Sequence, residues 1–479
     1  MSLSSNPVVA VVVFGCGNNT HNIILPTSST TGTIKQPRLI SFLKAFEDAN
    51  LMGSSNHRSL TSSYSEHQDD PSFTAAEQNS RIPKHFSLIQ VCTGGDFAFF
   101  LFRDYKQNEN RLFACGYTGT GEHGVAQDNS SSHLRDITEM AKKQILQRQS
   151  STSVIRMEIK QIACGWNHSM LMVEFEERTH ELGLPNQKRL AFFGSGFNNH
   201  GQLSVGDTSS ISRFGPEADV TLVPREHLYS IEKFFARYNT CAFITKDRTL
   251  YACGGNSNGE MGKSGTVYRF EKIASHILDA DFSYSHGAII NLDGQVFTSG
   301  QNDYGKLGHS QSTSFQFVQA PLPNNEKGLK VALGIHHTVV LTQSGSIVAC
   351  GHNDSGELSL GTNVNVSTFT KVQVDVHFKD ICCGFYHTCA LSTNNEVYVC
   401  GMDVETKGNK NILSKLISSD PLFRNVNAIA SGGYYALMYR QEQGEGKTAK
   451  EFIAKLLKFS KLSAEGSTTE LQDIQIKLM

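Results

Sequence analysis

The sequence predicts an all-β fold, a seven-bladed β-propeller, and three observations lead to this prediction. A short β-rich run that ends in Gly, with a second Gly in the following turn, recurs along the chain. A second recurring element combines an apolar strand, a small residue, two variable positions and often His. Glycine accounts for 41 of 479 residues, above its usual ~7%, which favours many short strands joined by turns over long helices.

The first element has five full copies, in which a strand ends in Gly and a second Gly follows five residues later. The copies contain the pairs Gly116 and Gly121, Gly196 and Gly201, Gly254 and Gly259, Gly300 and Gly305, and Gly351 and Gly356. Two shorter copies, at 13–17 and 397–401, keep only the strand and the first Gly. Because a turn with φ > 0 or tight packing excludes a Cβ atom, these glycines are interpreted as backbone requirements.

The second element also has seven copies, which differ in the residue at the His position. The residues at that position are Phe97, His168, Asn239, His286, His337, His387 and Tyr435. From Asn239 onward the steps are 47 to 51 residues, whereas the two earlier steps are 71 residues each and indicate insertions. A metal site is not expected, since the His copies fall in separate units without a second ligand at zinc spacing. Hydrogen bonds that fix a turn are the favoured interpretation.

One more strand, such as 370–375, lies between the two elements, so each unit has four short antiparallel strands and about 50 residues, the size of a propeller blade. The chain begins with a last strand, at 10–16, and ends with the strands that precede it, at 427–439. Joined, these N- and C-terminal strands form a shared closing blade, which removes the open edge of the ring. The propeller is therefore assigned to residues 1–440, with insertions near 40–83 and 140–153.

Strand direction places the insertions at 40–83 and 140–153 and the hairpin loop at 174–188 on one face of the disc, and leaves short glycine turns on the other. Residues 139–149 are expected to form a short helix. Residues 441–479 form a lysine-rich tail in which Phe452, Leu456 and Phe459 follow helical spacing. Docking of this tail on the propeller, binding to a partner or acidic surface, and membrane association all remain open.

Composition excludes several classes of function. The 43 basic and 45 acidic residues give a net charge of −2, unlike a protein that binds nucleic acid mainly through phosphates. No apolar run reaches the ~18 residues of a spanning helix, and no basic residue precedes the first apolar stretch, so an intracellular protein is expected, nuclear or cytoplasmic. No catalytic constellation stands out, and Gly119–Gly124 fits a dinucleotide-binding pattern without its helix. Neither a covalent enzyme nor a cofactor or metal is expected.

On these elements the chain resembles the regulator of chromosome condensation family of seven-bladed propellers. The resemblance covers about 370 residues and includes the split closing blade. Its clearest motifs are strand-Gly-x-Asn-x-x-Gly-x-Leu-Gly at Val296–Gly308 and Cys-Gly-x-x-His at Cys383–His387. The family includes exchange factors, ubiquitin-ligase and ciliary scaffolds, a photoreceptor and an enzyme inhibitor, so the resemblance is more specific for fold than for function.

The resemblance implies guanine-nucleotide exchange on a Ran-like small GTPase, by a face that binds the nucleotide-free GTPase better than the loaded one. The family's His-His-Thr falls on 336–338, its Asp-Asn-Asn turn on 198–200 without the Asp, its protruding wedge near 206–213, and its Asn-Asp-His position on 238–239. The implied GTPase-binding candidates are Asn198, Asn199, Asp207, Tyr238, Asn239, His336 and His337.

A propeller scaffold of other binding specificity is the alternative interpretation. Convergence of Asn198, Asn239 and His336 on one polar face near the axis favours exchange, whereas scattered positions favour the scaffold. The photoreceptor branch depends on clustered tryptophans and is excluded, because Trp166 is the single Trp. The family's founding member has a basic N-terminal arm for chromatin, but no Lys or Arg precedes Lys35 here, so chromatin docking by that route is not expected.

Overall fold

The computed structural model describes residues 13–18, 33–39, 86–124, 131–148, 153–178, 185–402, 411–416, 426–433 and 435–439. These residues form seven antiparallel sheets, six of four strands and one of three, which confirms the all-β propeller. The described α-helices are α1 (Thr138–Arg148) and α2 (Arg225–Leu228). The insertion near 40–83 and the tail at 441–479 lie outside the described residues.

The strands are numbered in chain order and the sheets are numbered as blades. The N-terminal strands of blade 7 are β1 (Val13–Asn18) and β2 (Thr33–Leu39). Blade 1 contains β3 (Phe86–Thr93), β4 (Phe97–Asp104), β5 (Glu109–Gly116) and β6 (Ser131–Asp136). Blade 2 contains β7 (Val154–Cys164), β8 (His168–Glu177) and β9 (Gln187–Gly196). Blade 3 contains β10 (Ile231–Arg237), β11 (Thr240–Thr245), β12 (Leu250–Gly254) and β13 (Val267–Ala274).

The remaining blades follow the same plan. Blade 4 contains β14 (Ile277–Phe282), β15 (His286–Asn291), β16 (Val296–Gln301) and β17 (Thr313–Gln319). Blade 5 contains β18 (Gly328–Leu333), β19 (His337–Thr342), β20 (Ile347–Gly351) and β21 (Val366–Lys371). Blade 6 contains β22 (Phe378–Cys383), β23 (His387–Ser392), β24 (Val397–Gly401) and β25 (Ser414–Lys415). Blade 7 is completed by β26 (Ala428–Ser431) and β27 (Tyr435–Tyr439).

The first strands of the blades line the axis of the ring. β18 contacts β14 and β22, β22 contacts β26, and β26 contacts β3, so the last blade meets the first. The closing sheet has the order β2-β1-β27-β26, which confirms the shared blade. Sequence analysis expected one N-terminal strand in this sheet, but the N-terminus supplies two, β1 and β2. The chain turns after β1, and β2 pairs with β1 at the outer edge of the sheet.

Blade 2 departs from the four-stranded plan. After β9 the chain makes only isolated bridges, from Ile211 to Gly196 and from Glu217 to Phe193, in place of a described fourth strand. The segment at 206–213, where the fourth strand would begin, is rich in Gly, Asp and Ser, which are poor strand formers. Pro216 also lacks the N–H that a ladder position needs.

Antiparallel order assigns every loop to one of two faces. Turns between first and second strands share a face with loops between third and fourth strands, and we call this the glycine-turn face. Hairpins between second and third strands and the connections between blades form the opposite face. The predicted helix is confirmed as α1, in the connection from blade 1 to blade 2. This helix and the described ends of β8 and β9 that face each other lie on the opposite face, as strand direction predicts.

The apolar core lies between neighbouring blades. One cluster joins Phe99 of blade 1 to Leu171 and Phe193 of blade 2. Between blades 2 and 3, the ring of Phe192 packs against those of Phe234 and Phe243, with centroids 5.2 Å and 5.8 Å away. Burial of aromatic surface between blades holds adjacent sheets at fixed positions, and with them the loops on both faces. No described helix is long and apolar enough to cross a membrane.

Candidate protein-interaction face

The Gly-x-x-His turns lie on the glycine-turn face, and the space taken by the His ring explains the Gly in two of them. In blade 5 a Cβ atom on Gly334 would lie 2.1 Å from Cε1 of His337, and in blade 6 a Cβ on Gly384 would lie 2.0 Å from Cε1 of His387. Real Cβ atoms do not approach ring carbons this closely, so the positions of the His337 and His387 rings require Gly three residues earlier. Blade 4 has Ser283 at the Gly position before His286, so a Cβ is accommodated there.

Three of the four recurring His residues, His286, His337 and His387, join neighbouring blades, whereas neither ring nitrogen of His168 has a hydrogen-bond partner among the described residues. Nε2 of His286 lies 3.0 Å from Oγ1 of Thr338 in the next blade. Likewise, Nε2 of His337 lies 3.2 Å from Oγ1 of Thr388, and Nε2 of His387 lies 2.7 Å from Oγ of Ser431. Sequence analysis favoured hydrogen bonds that fix a turn, and the structure shows that the bonds of these three His residues cross to the next blade.

These histidines are neutral. Burial lowers the pKa of His337 to about 3 and that of His387 to about 4, because the charged imidazolium loses its hydration. The Thr388 hydroxyl donates its proton to the carbonyl of Glu357, 2.8 Å away. Its oxygen is then the acceptor for a proton on Nε2 of His337, which fixes the imidazole tautomer. The side chain of His337 is fully buried, so it cannot contact a partner in this structure.

Blade 3 breaks the pattern at two positions together. Thr240 starts β11 where the other second strands start with a ring, so Asn239, which we assigned to the His position, lies one residue before it. Without a ring to accommodate, the Gly position holds Arg237. Its guanidinium crosses the axis and donates to the carbonyls of Leu333 at 2.9 Å and Cys383 at 2.8 Å, in blades 5 and 6.

Aromatic side chains close the axis beside Arg237. The ring of Phe385 stacks on Tyr238 at 5.8 Å and meets Trp166 edge-on at 5.4 Å, so blades 2, 3 and 6 contact each other across the centre. A cavity of only about 20 Å³ remains, room for roughly one water molecule. Tyr238 is buried in this plug, with 5% of its surface exposed. The axis is therefore closed to a ligand, and Tyr238 presents little side chain to a partner.

In blades 3 to 6, the second variable position of the turn is followed, sixteen residues later, by the first residue of the glycine loop. His352 N–H donates to the carbonyl of His336 at 2.8 Å, and Gln301 N–H donates to that of Ser285 in the same way. Gly351 makes this approach possible, because it has φ of 110° and a Cβ there would lie 2.4 Å from the carbonyl oxygen of His336. His336 and His352 are thus neighbours, a pair that sequence analysis missed. The available signal was the sixteen-residue separation, which recurs only in blades 3 to 6.

Four rings form a cluster around His336, which we call the histidine–tyrosine cluster (Tyr304, His336, His352 and Tyr386). The Tyr304 centroid lies 5.2 Å from that of His336 and 4.8 Å from that of His352. The Tyr386 centroid lies 6.4 Å from that of His336 and 6.1 Å from that of His352. Burial, helped by the nearby charge of Lys306, lowers the pKa of His336 to about 4, so this ring is neutral at physiological pH.

Carboxylates surround His352. Its Nδ1 atom lies 2.6 Å from Oε1 of Glu357, and its Nε2 atom lies 3.3 Å from Oδ2 of Asp354. Glu357 is fully buried, whereas the Asp354 side chain is 69% exposed. In the described parts of the chain, no group of three or more His, Cys, Asp or Glu side chains is placed to hold a metal ion.

A polar groove of about 300 Å³ lies on the same face. Side chains from blades 2, 3 and 4 line it, among them His200, Asn239, Tyr284 and Gln301. Asn239 is half-buried and Tyr284 is 52% exposed. The groove offers amide, hydroxyl and imidazole groups to a partner, and it places Asn239 next to the loop that contains Asn198.

Asn198 has a structural role in its own loop. Its side-chain amide donates to the carbonyl of Asp207 at 3.0 Å, and its carbonyl oxygen accepts from the N–H of Leu203 at 2.9 Å. Asn256 and Asn302 make the same pair of bonds in blades 3 and 4, with amide bonds to the carbonyls of Gly265 and Gln311. Because Asn198 is fully buried, its side chain cannot reach a partner in this structure. The recurrence of this Asn was the available signal for a structural role.

The candidate residues therefore lie on one face but differ in how far their side chains are exposed to solvent. Asn198, Asn239 and His336 all lie in loops of the glycine-turn face. Asn199 and Asp207 are exposed there, Asn239 and His336 are half-buried, and Asn198, Tyr238 and His337 are buried.

Comparisons with known proteins agree with this architecture. Models of the regulator of chromosome condensation (RCC1) repeat match residues 293–341 and 344–391, and also 329–357 and 378–405. Over 347 residues the chain is 25% identical to the ultraviolet-B receptor UVR8 of Arabidopsis thaliana, covering 70% of this chain and 68% of the receptor. Over 195 residues it is 29% identical to the X-linked retinitis pigmentosa GTPase regulator homolog of Caenorhabditis elegans, covering 37% of this chain but 14% of that protein.

Two solved structures share the fold over nearly their whole length. Human WBSCR16 has a TM-score of 0.61 at 13% identity, with 90% of this chain and 99% of that chain covered. Prp20p of Saccharomyces cerevisiae has a TM-score of 0.62 at 14% identity, with 93% and 95% covered. The ring of seven sheets and the matched repeats define a β-propeller built from RCC1 repeats. The chain therefore contains RCC1 repeats and shares its propeller fold with Prp20p.

Proposed function

We propose that this protein is a guanine-nucleotide exchange factor for a Ran-like small GTPase and binds the GTPase through its glycine-turn face. The observation that carries the proposal is the position of His336. It lies half-buried on that face, in a cluster of partly exposed rings, and the exposed Asn199 and Asp207 and the groove residue Asn239 belong to the same face. Prp20p, which shares the fold, is described as binding Gsp1p and histones.

The mechanism needs no covalent chemistry from this chain. A protein that binds the nucleotide-free GTPase more tightly than the loaded form lowers the affinity of the GTPase for its nucleotide by the same factor. A rigid face suits this task, because groups that are already ordered lose little conformational entropy on binding. The inter-blade His–Thr bonds and the closed axis hold the turns of this face in place.

The test is release of fluorescent GDP from the Ran GTPase of the same organism, with catalytic amounts of this protein. We expect acceleration by orders of magnitude for the native chain and a large loss for His336→Ala. His377→Ala is the matched control, since His377 is an exposed histidine on the opposite face, and it should leave the acceleration unchanged. No acceleration, with a GTPase that releases GDP normally when chelator removes magnesium, would contradict the proposal.

The alternative function is a propeller scaffold for a partner that is not a Ran-like GTPase. The burial of Asn198, Tyr238 and His337 favours it, because three of the residues that the family resemblance implies are buried. Stable binding of a partner to the glycine-turn face, without nucleotide release from the GTPase, would establish the scaffold function.

A further inference from the structure

The histidine–tyrosine cluster presents aromatic and acidic surface together. Tyr304 is 49% exposed, while His336, His352 and Tyr386 are partly exposed. Asp303 precedes Tyr304 in the chain, and its side chain is 59% exposed, while Asp354 contacts His352 and is 69% exposed. Exposed carboxylates therefore border the group of rings.

The exposed acidic side chains at the cluster are those of Asp303 and Asp354. His336 carries no charge at physiological pH. The ammonium group of Lys306 is fully buried, where it donates to Oγ of Ser285 at 2.9 Å and lies 3.5 Å from Oδ2 of Asp303. It offsets part of the charge of Asp303 but cannot reach an external ligand. Asp354 keeps its exposed carboxylate beside the rings.

The backbone of Tyr304 is strained in a way that its loop does not require. Tyr304 has φ of 63°, a left-handed conformation that costs free energy for a residue with a Cβ. The residues at the same loop position in blades 2, 3 and 5 are His200, Asn258 and Ser355, and none of them has positive φ. The glycine loop can thus form without this strain. In blade 4 the strained conformation accompanies packing of the Tyr304 ring against His336 and His352.

We propose that the histidine–tyrosine cluster, with Asp303 and Asp354, binds the cationic side chain of a partner protein, with arginine preferred over lysine. Ring faces attract a cation through their quadrupole, and a carboxylate next to them adds a charged hydrogen bond. A planar guanidinium can lie on an aromatic ring and pair with a carboxylate at the same time, which an ammonium group cannot do as well. The site does not depend on exchange activity, since a scaffold with this face would have the same specificity.

Two probes of similar shape test the site on the full chain. Ring signals of His336 and His352, assigned with His→Gln variants, are followed by NMR while arginine amide or its uncharged counterpart citrulline amide is added. We expect saturable shifts with arginine amide and at least about fivefold weaker binding of citrulline amide. Equal shifts with both probes, or no saturable shift up to about 0.1 M arginine amide, would overturn the proposal.

Variants separate the site from general effects on folding. Asp354→Asn should weaken arginine amide at least about fivefold, whereas Asp293→Asn, at an exposed Asp on the opposite face, should not. Tyr304→Gly removes the ring and also relieves the positive φ. It should therefore raise the melting temperature and still lose arginine binding. Unchanged binding by Tyr304→Gly would count against the proposal, and no outcome here depends on a variant that fails to fold.

Discussion

The Nε2 atom of His337 in blade 5 lies 3.2 Å from the Oγ1 atom of Thr388 in blade 6. Both side chains are buried, and Oγ1 also donates to the carbonyl of Glu357. One hydroxyl thus links the second strands of two blades and a glycine loop. The equivalent bonds at His286 and His387 extend the same connection from blade 4 to blade 7.

Removal of this hydroxyl should destabilise the protein. Thr388→Val keeps the side-chain volume but leaves Nε2 of His337 without its buried partner, and it leaves the Glu357 carbonyl with only the weaker Cys400 thiol donor at 3.4 Å. We expect a loss of about 1–3 kcal/mol in the free energy of unfolding, measured by urea denaturation. Thr368→Val, at an exposed position of β21, is the control and should change stability by less than about 0.5 kcal/mol. Equal effects of the two variants would contradict a structural role for the bond.

The buried neutral histidines should make stability depend on pH. The pKa of His337 is lowered to about 3 in the folded protein, against about 6.5 in the unfolded chain. Between these values the unfolded state binds the extra proton, so stability falls as pH decreases from about 6.5 toward 3. Each such group contributes a slope of up to about 1.4 kcal/mol per pH unit. His337→Gln should lower the slope of the unfolding free energy against pH by the contribution of one proton. An unchanged slope near pH 5 would contradict a neutral buried His337.

The steric pairing of Gly384 and His387 gives a prediction about two mutations together. Gly384→Ala places a Cβ 2.0 Å from Cε1 of His387, so it should cost about 1–3 kcal/mol, the range typical of overpacked cores. In a His387→Thr background the ring is absent, and the same Ala should cost much less. Blade 3 already combines Thr240 with Arg237 at these two positions. Additive effects in the double-mutant cycle would rule out the steric explanation.

Arg237 should stabilise the centre of the ring. Its guanidinium bonds Leu333 and Cys383 and lies 3.5 Å from the buried carboxylate of Asp281 in blade 4. Arg237→Met leaves that carboxylate without its counter-charge, so we expect a loss of roughly 3–5 kcal/mol, measured by thermal or urea unfolding. Addition of Asp281→Asn should recover part of the loss. A double variant that is less stable than Arg237→Met alone would contradict the pairing.

Repetition made most of the fold predictable. The spacing of the glycine turns and of the Gly-x-x-His turns defined the units, and the split of strands between the termini defined the closing blade. The fourth strand of blade 2 was not predictable in this way. There the strand is replaced by a segment with isolated bridges at Ile211 and Glu217, and no repeat of a motif marks it.

The candidate site was less predictable, because a single copy of a motif does not show whether a side chain stabilises the propeller or binds a partner. Asn198 and His337 match motifs of the resembling family, but the structure uses both side chains inside the propeller. His352 and Tyr304 were missed, since their importance comes from contacts with His336 that depend on loop geometry. Arg237 was missed because its contacts reach blades that are distant in the sequence.

The decisive measurement is the affinity of this protein for the Ran-like GTPase in its nucleotide-free and GDP-loaded forms, by biolayer interferometry at matched ionic strength. If the glycine-turn face drives exchange, the nucleotide-free form should bind at least about 100-fold more tightly. His336→Ala should reduce that ratio, and His377→Ala should not. Equal affinity for the two forms would contradict exchange by differential binding, whatever the strength of the complex.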